Sequence, residues 1–434
     1  MYVTVRGVPG STASAPASSA PEPGGPGEPS RRLVRGVPAT VLALGVVSFF
    51  TDISSEAVVA VLPLYVTAVL GLSPVAYGFL DGVHQGVSAA VRILGGWWAD
   101  RSRQPKWVAV TGYGVSALSR FLLLPVTGFA ALTGVVALDR LGKGLRTGPR
   151  DAMIADASDP SRLGRDFGVH RAMDTAGALV GPLLAFAVLV AIPVGVGGYR
   201  SVFVLSAAAA VIGLAVLVIA VPQRRRADPA VAAAAVAAPR MRWRDLTDRR
   251  LRRVLVAAGL LGLLTVGDGF LYLVLAASGS FGASWFPLLM VGTNAAYLLA
   301  AVPLGRLADR VGRGRVFLAG HVLLVAAYAL TATRPGGAVA VVAVLLLLGV
   351  FYAATDGVLA ALTSRLVPAA SRASGIAAAQ TVVALSRFGA SVGFGLLWQL
   401  TGRSTALLVV GVGMTLVLPV AAALLRAPRT AVTR

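Results

Sequence analysis

The chain has 434 residues, of which 56% are hydrophobic and 13% charged, with no cysteine and a formal net charge of +21. So little polar surface cannot coat a soluble protein of this length, and the composition points to the lipid bilayer. Disulfides, thiolate metal sites and cysteine nucleophiles are excluded outright, and the distribution of the charge along the chain argues against nucleic acid as a partner.

Positions 1–36, rich in Pro, Ser, Gly and Ala and without the apolar core of a signal peptide, read as a disordered cytoplasmic tail or in part a mis-set start. Twelve apolar runs follow, each of about the 20 residues needed to cross the hydrocarbon. They lie near 38–69, 75–98, 106–128, 131–155, 164–192, 199–221, 252–277, 283–304, 315–333, 337–364, 372–400 and 404–425. A basic linker at 223–250 separates a six-span bundle at 37–222 from another at 251–426, and residues 427–434 form a second tail. Arg31, Arg32, Arg35, Arg101, Arg103, Lys106, Arg162, Arg165, the linker, Arg310, Arg313, Arg315, Arg372, Arg426 and Arg429 fall on one side; Arg200, Arg334 and Arg403 fall on the other. Positive residues stay cytoplasmic, so both termini are expected inside the cell membrane, with anionic lipid headgroups as the counter-charge. The 50 glycines suit helices that approach each other closely in lipid.

Ionisable residues in mid-membrane cost at least about 2.5 to 3.5 kcal/mol each, so each needs a cavity or a partner. In span 1, Asp52 and Glu56 stand four residues apart on one face. Two carboxylates so close repel, which suits a site that binds and releases a proton; permanent neutralisation by basic partners is the alternative. Span 2 stacks Asp81, Gln85, Ser88 and Arg92 on one face, with His84 adjoining.

Spans 2 and 3 are joined by "GGWWADRSRQPK", and spans 8 and 9 by "GRLADRVGRGR". The repeated signature resembles the Gly-x-x-x-Asp-Arg-x-Gly-Arg/Lys loop of the major facilitator superfamily. Gly305, Asp309, Arg310, Gly312 and Arg313 match it fully; Gly96, Asp100 and Arg101 match, but Arg103 stands where Gly is usual. The resemblance implies an all-α membrane fold of twelve helices, arranged as two pseudo-symmetric six-helix bundles around a central cavity. It also implies a monomer, and a latch in these loops that breaks as the conformation changes. The other reading of each Asp-Arg pair is a plain helix cap that fixes topology.

Span 4 holds "DRLGKGLRTGPRD", in which Asp139, Lys143, Arg146 and Arg150 fall within about 60° of helix surface. The glycines do not have phosphate-loop spacing. Arg140 and Gly144 instead resemble the span-4 motif Arg-x-x-Gln-Gly of proton-driven exporters in the superfamily, with Lys143 in place of Gln. By that analogy Arg140 tunes a titrating carboxylate. In span 5, Gly168, Gly177, Gly181 and Pro182 resemble the Gly-Pro antiporter signature, incomplete because Ala185 and Phe186 replace its last two glycines; ordinary close packing is the alternative. His170 and Asp174 share a face and form a candidate hydrogen-bonded pair. Asp268 of span 7 and Asp356 of span 10 repeat Asp52 and Asp139 at offsets of 216 and 217 residues, and span 11 offers Gln380 and the cation Arg387.

These features indicate a secondary transporter that moves a small organic molecule by alternating access, with proton-coupled efflux as the leading form. The proton would be handled by Asp52, Glu56, Asp139 and Arg140. The cavity would be lined by Asp81, Gln85, Arg92, Lys143, Arg146, His170, Asp174, Asp268, Asp356, Gln380 and Arg387. An organic-anion or organophosphate exchanger that uses Lys143, Arg146 and Arg387 is the alternative. No catalytic or metal-spaced constellation is evident, so neither an enzyme nor a cofactor is expected.

Overall fold

The computed structural model describes residues 36–102, 104–159, 161–223, 248–333, 336–364, 366–367 and 372–426; the side chains of 88–90, 92–102 and 372–374 lie outside that description. Most of the expected 1–36 tail and 223–250 linker, and all of 427–434, are likewise outside it. Pro38–Arg434 is one compact unit, separate from Met1–Val37.

Among the described residues there are thirteen α-helices. The first half holds α1 (Ala39–Leu64, continued by a π-helical turn to Val69), α2 (Pro74–Ser102), α3 (Pro105–Leu123), α4 (Phe129–Ala157), α5 (Leu163–Ala191) and α6 (Val196–Ala220). The second half holds α7 (Arg249–Gly262), α8 (Asp268–Ala276), α9 (Phe286–Val311), α10 (Arg313–Thr333), α11 (Ala338–Thr363), α12 (Arg372–Thr401) and α13 (Arg403–Leu425). Eight described helices are long and apolar enough to cross a membrane. Others fall short for visible reasons: α4 carries the charged stripe, and α7 and α8 are two short pieces.

Two expected spans are corrected. The third ends at Leu123, not near 128, because the chain turns ahead of Gly128. The seventh is not one helix but breaks at 263–267. A break inside a bilayer leaves peptide groups that water cannot reach. Tyr328 of α10 supplies the remedy: its hydroxyl accepts from the Val266 amide at 2.8 Å and donates to the Leu264 carbonyl at 3.0 Å. Asp268 then opens α8, where a negative charge suits the helix dipole. Asp248 caps α7 through the amides of Arg250 and Leu251.

Small residues set the packing. In α5, a methyl group at Gly177 would strike the Phe49 backbone, and one at Gly181 the Ile53 carbonyl, so α5 lies directly on α1. Gly168 has open space around it and takes no part in that contact. Between the halves, Gly78 of α2 sits against the Ser391 carbonyl and Gly395 of α12 against the Pro74 carbonyl. Tyr77 and Phe270 rings meet at 4.8 Å, Phe79 and Phe388 at 5.8 Å, and Phe186 and Trp285 at 5.4 Å. The halves are thus pressed together at the end where α1 runs into α2. The opposite end, which carries the basic connections, we call the basic end.

Candidate transport site

Asp139 takes its partners from α3 and from its own helix, α4. From α3, Arg120 donates to Asp139 Oδ1 at 2.7 Å, and the neighbouring Arg140 ion-pairs with Oδ2. The side chains of all three are about 95% buried. Arg120 also donates to Ser54 and Ser55 of α1, and Ser54 bonds Ser206 of α6 at 2.9 Å. Arg140 reaches His84 of α2 at 3.3 Å; a guanidinium only donates, so His84 Nε2 accepts and the imidazole is neutral. Asp139 is therefore clamped between two cations in a dry knot.

Toward the basic end a second cluster contains Asp52, Glu56, Lys143, Arg150 and Asp174. Asp52 of α1 and Asp174 of α5 are within hydrogen-bonding reach of each other, and Lys143 and Arg146 project positive field onto Asp52. Asp174 is also paired with Arg150 at 3.5 Å and Arg171 at 3.0 Å. The expected pairing of His170 with Asp174 is replaced: the His170 ring bonds Ser48 of α1 at 3.0 Å. Arg146 lies over the Tyr113 ring at 4.5 Å, and its Nη1 and the Tyr113 hydroxyl are buried without a hydrogen-bond partner among the described residues.

Between the halves lies a cavity of about 140 Å³, lined among others by Tyr77, Asp81, Gln85, Asp268, Tyr272 and Tyr352. Ser391 donates to Asp81 Oδ2 at 2.5 Å, and Tyr352 donates to Asp268 Oδ1 at 2.8 Å. A second cavity of about 270 Å³ shares Gln85 and is lined by His321, Asp356, Gln380 and Arg387. Arg387 stands 4.0 Å from Asp356 and 5.6 Å from the centre of the Tyr352 ring. The Asp356 side chain is 54% exposed, so this second cavity is open.

The second loop signature takes a defined form. Gly312 turns between α9 and α10 with φ +104°, a region that disfavours any side chain. Arg313 donates to Asp309 at 2.7 Å and to the Ala361 carbonyl at 2.8 Å, which ties this junction to the end of α11. Gly305 has open space around it. The side chains of Arg92, Gly96, Asp100 and Arg101 lie outside the described residues.

This arrangement of helices matches known proteins. Superposed on the nucleoside transporter NupG, the chain gives a TM-score of 0.73 at 17% identity, covering 90% of this chain and 100% of that one. A POT family transporter in complex with 5-aminolevulinic acid gives 0.73 at 14% identity, covering 90% and 96%. An uncharacterized MFS-type transporter of Methanocaldococcus jannaschii is 28% identical over 384 residues, 86% of this chain and 92% of its own. The Major Facilitator Superfamily model matches residues 44–388.

The chain belongs to the Major Facilitator Superfamily. As a member it is a secondary transporter of a small molecule and not an enzyme, a multi-pass membrane protein with two six-helix bundles around a central cavity. In this MFS chain the sequence reading left out Arg120, Tyr77, Tyr272 and Tyr352. The signal for Arg120 was present: a lone arginine in "ALSRFLLL" demands a buried partner as firmly as any acid does. The tyrosines gave no such signal, since a phenol in an apolar run is indistinguishable from lipid-facing surface.

Proposed function

We propose that this MFS transporter is a proton-coupled exporter of a small organic molecule, seated in the cytoplasmic membrane with both termini inside. The observation that carries the reading is the juxtaposition of Asp52 of α1 with Asp174 of α5, two facing carboxyl groups that favour holding one proton between them over being ionised together. Lys143 and Arg150 stand beside the pair and offer each carboxylate a cation when that proton leaves. The basic end is then cytoplasmic, and the conformation is closed outward and open inward, with Asp356 wetted from the cell. Asp139 is assigned a structural role, because both of its oxygens are already held by guanidinium groups. Arg313, tied to Asp309 and the end of α11, is the candidate latch.

The anion reading has less support. Neither Lys143 nor Arg146 lines the two central cavities, and Arg387 faces Asp356. Proteoliposomes with an internal pH-sensitive dye, challenged with organic cations, neutral drugs and phosphorylated metabolites, test the proposal. At least one class should move protons, and Asp52→Asn should abolish that response. Transport driven by the substrate gradient alone, or left intact by Asp52→Asn with Glu56→Gln, would sink it.

A further inference from the structure

The 140 Å³ cavity has a wall of one sign. Asp81 comes from α2 and Asp268 from α8, so the two halves each contribute a carboxyl group. Among the described residues no lysine or arginine lines it: Arg387 lines the neighbouring cavity, and Arg140 is ion-paired with Asp139 and reaches this wall only through His84. The remaining polar groups are phenols, two carboxamides (Gln85 and Asn294) and His84. Asp81 is hydrogen-bonded by Ser391 and Asp268 by Tyr352. A carboxylate offers about four acceptor sites, so each retains capacity for a ligand donor. An anionic group here would meet two carboxyl groups directly while Arg387, whose field reaches both, stands in the neighbouring cavity, whereas a cation would satisfy both.

We infer that this cavity binds the head of a compact organic cation, an ammonium group held between Asp81 and Asp268 with Tyr77, Tyr272 and Tyr352 as the aromatic walls around its substituent. A cavity of about 150 Å³ accommodates benzene, so the head has about six to eight non-hydrogen atoms. Because its two anchors belong to different bundles, a bound ammonium ties one half to the other at the point where they must rock. The inference rests on the transport reading of the cavity but not on proton coupling.

Three probes of one shape test it on the purified full chain in detergent: benzylammonium, benzyl alcohol and benzoate, followed by titration calorimetry at neutral pH. Benzylammonium should bind and the other two should not. Asp81→Asn and Asp268→Asn should each weaken it by about tenfold or more. Wild-type protein alone gives a second measurement, since bound benzylammonium should be displaced by tetramethylammonium and not by benzoate. Absence of benzylammonium binding, benzoate binding as tight, or benzylammonium affinity unchanged in both Asn variants would overturn the assignment. Benzylammonium binding without proton movement in liposomes would retire the coupling and leave this site; proton movement with benzoate as the bound probe would do the reverse.

Discussion

Asp139 of α4 and Asp356 of α11 stand 217 residues apart at matching places in the two bundles, yet they live in different physical worlds. Asp139 is sealed from solvent and gripped by two guanidinium groups. Asp356 is half exposed, and the guanidinium of Arg387 stands 4.0 Å away. The difference comes from the neighbours: α3 brings Arg120 into the first bundle, where Ser54 and Ser55 accept from it and Ser206 in turn bonds Ser54. In the second bundle Arg387 arrives from α12 and is shared with the Tyr352 ring. One half uses its charges to fix helices together, and the other keeps them loose beside an open cavity.

The contrast can be broken most strongly at Arg120. Arg120→Met leaves Asp139 and two serines short of their donor, and should lower stability by about 3 kcal/mol, the low end for a broken buried pair because Arg140 remains. Thermal unfolding in detergent would read this as a large fall in midpoint. Backbone spacing gives the next effect. A methyl at Gly142 of α4 would collide with Ser116 and the Gly112 carbonyl of α3, so Gly142→Ala should cost about 1 to 3 kcal/mol by the same measurement. Gly357 of α11 has nothing within 4 Å, and Gly357→Ala should instead gain up to about 1 kcal/mol of helix propensity.

Double-mutant cycles sharpen the comparison further. Arg120→Met combined with Asp139→Asn should show a coupling of about 0.5 to 3 kcal/mol, while Arg387→Met with Asp356→Asn should show less than about 0.5. Asp356→Asn alone should move stability by no more than about 1 kcal/mol, as expected of a half-exposed carboxylate. A loss as large as that of Arg120→Met would show that the two bundles are alike after all.

Much of the fold was legible because lipid imposes simple rules on length and polarity. The spans, the six-plus-six layout and the second loop signature follow from runs of apolar residues and from Asp309, Gly312 and Arg313. Gly177 and Gly181 were readable as a small-residue face, although spacing could not reveal that Phe49 and Ile53 of α1 are what they touch. Partner choice was the harder matter. His170 and Asp174 share a helix face, but Ser48, Arg150 and Arg171 compete for them, and contacts between helices leave no trace in periodicity. The break at 263–267 escaped for a similar reason. "LLTVGDG" is apolar enough to pass for a continuous span, and the residue that stabilises the interruption lies 62 positions away from Val266.

That interruption makes the second bundle a jointed arm. Its elbow is bolted by a single hydroxyl from α10, and the forearm beyond it starts with Asp268, one wall of the central cavity. A displacement of α10 must therefore be transmitted to that wall even while α7 stays in place. The cavity's floor answers to a lever outside it, and the fulcrum is Tyr328.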